Sequence, residues 1–145
     1  MMMITGDNAL TATAIAQEVG IYAEGDNVLS GPEIAEIDDE TLESKLHTTT
    51  VWARMLPEHK YRIVKLLQKN DDIVAVTGDG ANDVPALKVA DLGIAMGSGT
   101  EAAKATAKMI LLNNDLSVIV EAVRQGRIIA DNIRKSIYFL VTTCI

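Results

Sequence analysis

The 145-residue chain has one cysteine, few aromatic residues and fewer basic than acidic side chains. The lone Cys144 excludes an intramolecular disulfide and a cysteine-based zinc site. Lys and Arg total 13 against 20 Asp and Glu, and the resulting formal charge of -7 argues against nucleic-acid binding, which needs a basic face. Aromatic residues make up only 3%, which also argues against stacking platforms for single strands. We therefore expect no nucleic-acid partner.

Long apolar runs are also missing. No stretch reaches the roughly 18 apolar residues that a membrane helix needs, and the nearest candidate is residues 137–145. The first residues lack the charged start and apolar core of a signal peptide, so none is expected. The composition of 48% hydrophobic and 23% charged residues is typical of one globular domain with a real core.

Strand-like and helix-like segments alternate along the chain, which is the pattern of a parallel α/β sheet. The apolar run at residues 73–76 predicts a strand covered on both faces. Residues 21–32 are rich in turn-forming residues and predict an irregular excursion. Further strands are predicted at residues 1–4, 49–53, 92–96 and 109–112, and helices at 8–19, 33–37, 40–46, 57–70, 83–89 and 101–107.

From Leu116 the pattern is helical to the end of the sequence. A helix of about 30 residues is roughly 45 Å long, which exceeds the width of a small domain. We therefore expect a domain over residues 1–115 and a helix over residues 116–145 whose far end leaves that domain.

The tripeptide Thr-Gly-Asp occurs at residues 5–7 and 77–79, each time after a predicted strand. Ligands bind at the carboxyl ends of parallel strands in open α/β sheets. The second turn, residues 77–83, places Asp79, Asn82 and Asp83 close together, and such hard oxygen ligands suit Mg²⁺. An acidic turn in which Asp83 caps a helix accounts for the same residues.

Two further positions are candidates for phosphate chemistry. Residues 5–8 offer a hydroxyl and backbone N–H groups at a helix start, which is an anion site by geometry, although a plain N-cap explains them too. Lys60 lies in the first turn of the predicted helix 57–70, where a cation opposes the helix dipole. A lone helical lysine is usually solvated. His47 and His59 are too few and too badly spaced for a metal site.

Four motifs occur in order: Met-Ile-Thr-Gly-Asp-Asn at 3–8, Ala-Arg-Met-Leu-Pro-Glu-His-Lys at 53–60, Thr-Gly-Asp-Gly-Ala-Asn-Asp at 77–83, and Gly-Ile-Ala-Met-Gly-Ser-Gly-Thr at 93–100. Together they resemble the second half of the phosphorylation domain of P-type cation-transporting ATPases, which are haloacid dehalogenase-like phosphotransferases. Residues 126–135 resemble the stalk leading to the fifth membrane helix. The resemblance covers nearly the whole chain and implies an incomplete Rossmann-like parallel sheet flanked by helices, with a long C-terminal stalk helix.

The resemblance also implies roles for individual residues. By this resemblance, the transferred phosphoryl group is held, and nucleotide binding supported, by Thr5, Gly6 and Asp7. Lys60 pairs with the phosphorylated aspartate, and Gly80 lines the cofactor site. Asp79 binds Mg²⁺ with support from Asp83, and the phosphoryl site is oriented by Asn82 and Asp83. The implied cofactors are Mg²⁺ and, in a complete pump, ATP.

The family's nucleophile is the aspartate of an Asp-Lys-Thr-Gly motif, which this sequence does not contain. The resemblance therefore implies part of an ATP-driven pump that is inactive alone. The complete protein would be a multi-pass membrane protein with this part on the cytoplasmic face, next to the other pump domains. The long connection over residues 28–54 favours the branch that transports calcium, sodium or potassium over heavy-metal pumps, with calcium weakly preferred.

Three alternatives belong to other functional classes. A free-standing phosphatase of the same superfamily would need Asp-x-Asp on a first strand, and the sequence has none. A regulatory module could use the same fold to bind Mg²⁺ and phosphate. A purely structural α/β domain could dimerise through its apolar tail.

Overall fold

The structure is a computed structural model that describes residues 1–143. The chain divides into two compact units, residues 1–110 and 111–145. Within the described residues the strands are β1 (Met3–Ile4), β2 (Asn27–Ser30), β3 (Thr49–Ala53), β4 (Ala75–Gly78), β5 (Leu92–Met96) and β6 (Met109–Leu111). The helices are α1 (Ala9–Glu18), α2 (Gly31–Glu36), α3 (Asp39–Leu46), α4 (Pro57–Lys69), α5 (Val84–Val89), α6 (Glu101–Thr106) and α7 (Ser117–Thr143), with a 3₁₀ turn at Ala81–Asp83.

The strands form two three-stranded sheets flanked by helices, which confirms the α/β fold class. The first sheet has the order β1-β3-β2, with β3 parallel to both neighbours, and the second has the order β4-β5-β6, with β4 parallel to β5. β1 and β4 each lie at an edge of their sheet. One Thr-Gly-Asp turn follows β1 in the first sheet, and the other lies at the end of β4 in the second.

Helix α4 packs against the hydrophobic residues of both sheets. Ile63 and Leu66 belong to the core that surrounds the fully buried Trp52 of β3. Val64 packs with Val74 in the core beside α5. Neighbouring residues of α4 are thus buried in two different hydrophobic clusters, one beside each sheet. This packing holds the position of the helix, including its first turn, relative to both sheets.

The prediction for residues 73–76 is wrong in its start and its burial. Ile73 is 90% exposed, and the strand begins at Ala75. Within β4, Ala75 and Thr77 are exposed whereas Val76 and Gly78 are partly buried, so only one face of the strand is covered. An apolar run alone does not reveal how many faces of a strand are covered.

The prediction for residues 21–32 is also incomplete. β2 lies inside this segment and pairs with β3, with a register irregularity between Asn27 and Val28. The turn signals at Gly25 and Asp26 lie just before the strand, and Gly31 begins α2 directly after it. Four residues between two turn signals carry too little periodicity to be recognised as a strand.

The predicted C-terminal helix is confirmed as α7, which has no buried residue. Among residues 1–143, no helix is long and apolar enough to cross a membrane. The apolar segment predicted at residues 137–145 ends beyond the described part of the chain, because residues 144 and 145 are not described.

Asp91 connects the start of β4 to α4. Its carboxylate accepts hydrogen bonds from the Val74 N–H at 2.9 Å and the Gln68 side-chain amide at 3.1 Å, and these bonds lower the pKa of Asp91 below its ordinary value. A pKa lowered by folding stabilises the native state above the unfolded pKa, and this stabilisation is lost as the pH falls.

We expect Asp91→Asn to weaken the dependence of stability on pH between about pH 5 and pH 3. The substituted side chain still accepts hydrogen bonds but cannot be protonated in this range. Urea unfolding at a series of pH values measures the change. An acid slope identical to that of the wild type would show that Asp91 contributes nothing to it.

Candidate functional site

An ion pair between Lys60 and Asp83 lies at the centre of the candidate site. The Lys60 Nζ donates to Asp83 Oδ1 at 2.6 Å, and the two side chains are only 15% and 13% exposed. Pro57 starts α4 at a favoured position, which places Lys60 in the first turn. Asp83 thus compensates a cation that would otherwise oppose the helix dipole, and the pair explains why a lysine occupies this position.

The second oxygen of Asp83 binds the turn that precedes it. Asp83 Oδ2 accepts hydrogen bonds from the N–H groups of Asp79 and Gly80, both at 3.2 Å. Gly78 makes room for this side chain, since a Cβ there would lie 2.5 Å from the Asp83 Cβ. The carboxylate of Asp83 is therefore held in one orientation by a lysine and two backbone amides.

Asp79 lies in the same turn but outside the ion pair. Its residue is exposed, and its backbone carbonyl accepts a hydrogen bond from the Thr100 N–H at 2.8 Å. Asn82 is also exposed, within the 3₁₀ turn. The sequence groups Asp79, Asn82 and Asp83 after a strand, and the structure places all three in the turn that follows β4. The hydrogen bonds within this turn join Asp83 to the amides of Asp79 and Gly80, and the functions of these residues remain predictions.

The donor set can be compared with what a metal ion needs. In the part of the chain that the structure describes, no group of three or more His, Cys, Asp and Glu could hold a metal. Mg²⁺ does not need such a group, because it keeps several waters and commonly takes one or two carboxylates together with phosphate oxygens. Asp79 fits this requirement better than Asp83, whose two oxygens already accept bonds from Lys60 and the turn amides.

The first Thr-Gly-Asp turn is held by β3 and the residues after it. Thr5 N–H donates to the Trp52 carbonyl, and the carbonyls of Thr5 and Asp7 accept from the N–H groups of Met55 and Arg54. The Thr5 hydroxyl donates to the Asp7 carboxylate at 3.1 Å. Gly6 and Asp7 are exposed. These hydrogen bonds connect the turn to residues 52–55 rather than to the Lys60–Asp83 pair.

Asn8 caps α1, as the simpler interpretation of this segment predicts. Its side chain accepts a hydrogen bond from the Thr11 N–H at 3.0 Å. The cap does not exclude an anion site at residues 5–7, because it engages the amide of Thr11 and leaves the turn itself exposed.

Arg54 is a notable residue to which the sequence assigned no role. It has a left-handed backbone with φ of 51°, rare for a residue with a side chain, and a Cβ on Gly31 would lie 2.2 Å from its carbonyl oxygen. Arg54 lines a cavity of about 610 Å³ together with Asn8, Ser30 and Glu33. Hydrogen bonds from the Ser30 hydroxyl and backbone N–H lower the pKa of Glu33.

Comparison with known proteins identifies the family. Residues 1–91 and residues 60–123 match two family descriptions, both of haloacid dehalogenase-like hydrolases. A calcium-transporting ATPase of Listeria monocytogenes is 50% identical over 139 residues, which are 96% of this chain and 16% of that protein. The human calcium-transporting ATPase type 2C member 1 is 44% identical over 144 residues, which are 99% of this chain and 16% of that protein.

A solved structure shows the same relationship. The crystal structure of a zinc-transporting PIB-type ATPase matches 92% of this chain and 17% of its own, with a TM-score of 0.69 and 34% sequence identity. The chain thus spans about one sixth of the length of the relatives that it matches. By sequence and by fold the chain belongs to the haloacid dehalogenase-like hydrolases, and within them it is similar to part of the P-type ATPases.

Proposed function

We propose that the chain is part of the phosphorylation domain of an ATP-driven calcium pump, in which it positions the transferred phosphoryl group and Mg²⁺. The observation that carries this proposal is the Lys60–Asp83 ion pair beside the Asp79 turn. Lys60 is largely shielded from solvent and is paired with the turn that presents the exposed Asp79 carboxylate at the end of β4. Such an arrangement suits phosphoryl transfer, which depends mostly on positioning and charge neutralisation. The similarity to pumps along nearly the whole chain supports the same conclusion.

The proposed chemistry assigns a task to each residue of the site. The Lys60 ammonium has three N–H donors and uses one for Asp83, so others can bind phosphoryl oxygens. Asp83 holds Lys60 and the turn amides in place, and Asp79 supplies a carboxylate to the metal. Mg²⁺, when bound, would neutralise charge on the phosphoryl group. Thr5, Gly6 and Asp7 would hold the phosphoryl group and support nucleotide binding from the other sheet, with Asn82 and Gly80 lining the site.

The nucleophile would come from another segment of the pump. The sequence contains no Asp-Lys-Thr-Gly motif, and β1 and β4 each have an unpaired edge that could receive a further parallel strand. In the complete protein we place this domain on the cytoplasmic face of a membrane, with α7 as the stalk and the remaining pump domains and the membrane as partners.

Calcium is the proposed ion because relatives that are 44–50% identical are calcium-transporting ATPases. The long connection over residues 28–54 supports the same branch, and in the structure this segment contains most of β2 together with α2, α3 and β3. The structural match to a zinc-transporting pump has a lower identity of 34%.

The isolated chain is expected to take up no phosphate from γ-labelled ATP above background, because the proposed attacking carboxylate is not part of it. The test is an acid-quenched labelling reaction with Mg²⁺, followed by hydroxylamine treatment. A hydroxylamine-sensitive label on this chain would contradict the proposal, since it would reveal an acyl phosphate formed without the expected motif.

The proposed function itself is tested by a chimera in which this chain replaces the matching segment of the Listeria monocytogenes pump, which is 50% identical over 139 residues. We expect the chimera, reconstituted in vesicles, to drive ATP-dependent calcium uptake. The Asp79→Asn chimera is the matched control and should show background uptake. A membrane-inserted chimera that takes up no calcium, under conditions in which the unaltered Listeria monocytogenes pump does, would overturn the proposed function.

A further inference from the structure

The loop between β5 and α6 packs directly against Asp79. The Thr100 N–H donates to the Asp79 carbonyl at 2.8 Å. A Cβ on Gly99 would lie 2.9 Å from that carbonyl oxygen, 3.1 Å from the Asp79 Cα and 2.9 Å from the Met96 carbonyl oxygen. Gly99 also donates its N–H to the Met96 carbonyl at 2.9 Å, which makes the loop a tight turn. Only glycine fits at position 99, where the loop lies against the backbone of Asp79 and Met96.

The backbone of Asp79 is therefore held from two directions. On one side its N–H donates to Asp83 Oδ2 at 3.2 Å, and on the other its carbonyl accepts from Thr100 at 2.8 Å. Asp79 is itself exposed, so packing of its side chain cannot fix its position. A metal-binding carboxylate must nevertheless be held within a fraction of an ångström of its working geometry.

We propose that Gly99 and the backbone amide of Thr100 are positioning elements that hold Asp79 in place for a divalent cation. This inference rests on the proposed function, in which Asp79 binds Mg²⁺. It explains why the Gly-Ser-Gly-Thr turn lies beside the Thr-Gly-Asp turn. The side chain of Thr100 has a separate task, because its hydroxyl caps α6 by accepting from the Ala103 N–H at 3.3 Å.

Two substitutions at Thr100 separate the amide from the side chain. Thr100 has φ of −65°, the value that a proline ring imposes, but the ring of Thr100→Pro replaces the N–H that binds the Asp79 carbonyl at 2.8 Å. This variant therefore removes the hydrogen bond and also pushes the Asp79 carbonyl away. Thr100→Ala keeps the N–H, and both variants lose the hydroxyl that caps α6. Any difference between the two variants therefore reports on the backbone contact between residue 100 and the Asp79 carbonyl.

The experiment measures the dissociation constant of Mg²⁺ alone by calorimetry on the full chain, and the melting temperature without metal. We expect Thr100→Ala to melt a few degrees lower and to bind Mg²⁺ as the wild type does. Thr100→Pro and Gly99→Ala should bind Mg²⁺ about tenfold more weakly, a change of about 1.4 kcal/mol. Gly126→Ala is the control, because a Cβ at Gly126 meets nothing within 4 Å.

The outcomes separate this inference from the proposed function. The positioning role is overturned if Thr100→Pro, Thr100→Ala and Gly99→Ala all bind Mg²⁺ with the same affinity while Asp79→Asn abolishes binding. In that case the proposed metal role of Asp79 still stands. If Asp79→Asn binds Mg²⁺ as tightly as the wild type, the proposed metal role of Asp79 fails and the inference fails with it. A wild-type chain without measurable Mg²⁺ binding overturns both. If either Thr100→Pro or Gly99→Ala does not fold, the Mg²⁺ affinity of the other variant tests the inference.

Discussion

Replacement of Lys60 by alanine in the calcium-pump chimera is expected to lower the rate of phosphoenzyme formation by about 100-fold or more. Removal of a single preorganised donor to developing negative charge typically costs 10²–10³ in rate. Lys60 is such a donor in the proposed mechanism, and its loss also leaves Asp83 without its partner at 2.6 Å. Rapid acid quenching of the chimera with labelled ATP measures the rate.

Lys69 provides a matched control on the same helix. It lies near the end of α4, where it forms an exposed ion pair with Glu43 at 3.0 Å. Exposed pairs of this kind contribute little to stability, so Lys69→Ala should leave the rate within about twofold of the wild type. If Lys60→Ala and Lys69→Ala reduce the rate equally, the Lys60–Asp83 ion pair has no special role in the reaction.

The second large effect is expected for Gly78→Ala, which should unfold at lower urea concentration and lose phosphoenzyme formation. The added Cβ would lie 2.5 Å from the Cβ and 2.9 Å from Oδ2 of Asp83, so the Asp83 side chain must move. Overpacking of this kind typically costs about 1–3 kcal/mol. The displaced carboxylate would also lose the turn amides that hold it, which couples the stability loss to the site.

The control for this substitution is again Gly126→Ala, in the exposed helix α7. Alanine is favoured over glycine in a helix interior by about 0.5–1 kcal/mol, so this variant should be slightly more stable than the wild type. Urea unfolding of the isolated chain gives the free energies. A Gly78→Ala variant as stable as the wild type, with normal phosphorylation in the chimera, would contradict the described packing of Asp83.

The sequence predicted the elements with strong local signals. Pro57 and the apolar positions after it predicted α4 to within one residue of its end, and the β-branched run at residues 49–53 predicted β3. The helix cap at Asn8 followed from the same rules, because a cap is made by residues three positions apart. The proximity of Lys60 and Asp83 is different, since 23 residues separate them and only the resemblance to a known family suggested it.

Other features depend on contacts between distant segments and could not be predicted from local patterns. The division of the strands into two sheets follows from which strand edges are paired, and Ile73 is exposed because it lies before β4 rather than in it. The left-handed backbone of Arg54 has no local signal, because arginine rarely adopts it. The need for glycine at Gly78 and Gly99 arises from the approach of Asp83 and Asp79, which a single sequence does not display.

The most direct test of the proposed function is the acid-quenched phosphoenzyme level of the chimera with and without Mg²⁺. We predict a label that requires Mg²⁺, is removed by hydroxylamine and falls to background in the Asp79→Asn chimera. A chimera that inserts into the membrane and binds ATP, yet forms no hydroxylamine-sensitive phosphoenzyme, would contradict the conclusion that this chain serves phosphoryl transfer. Full labelling of the Asp79→Asn chimera would contradict the metal site at the centre of the mechanism.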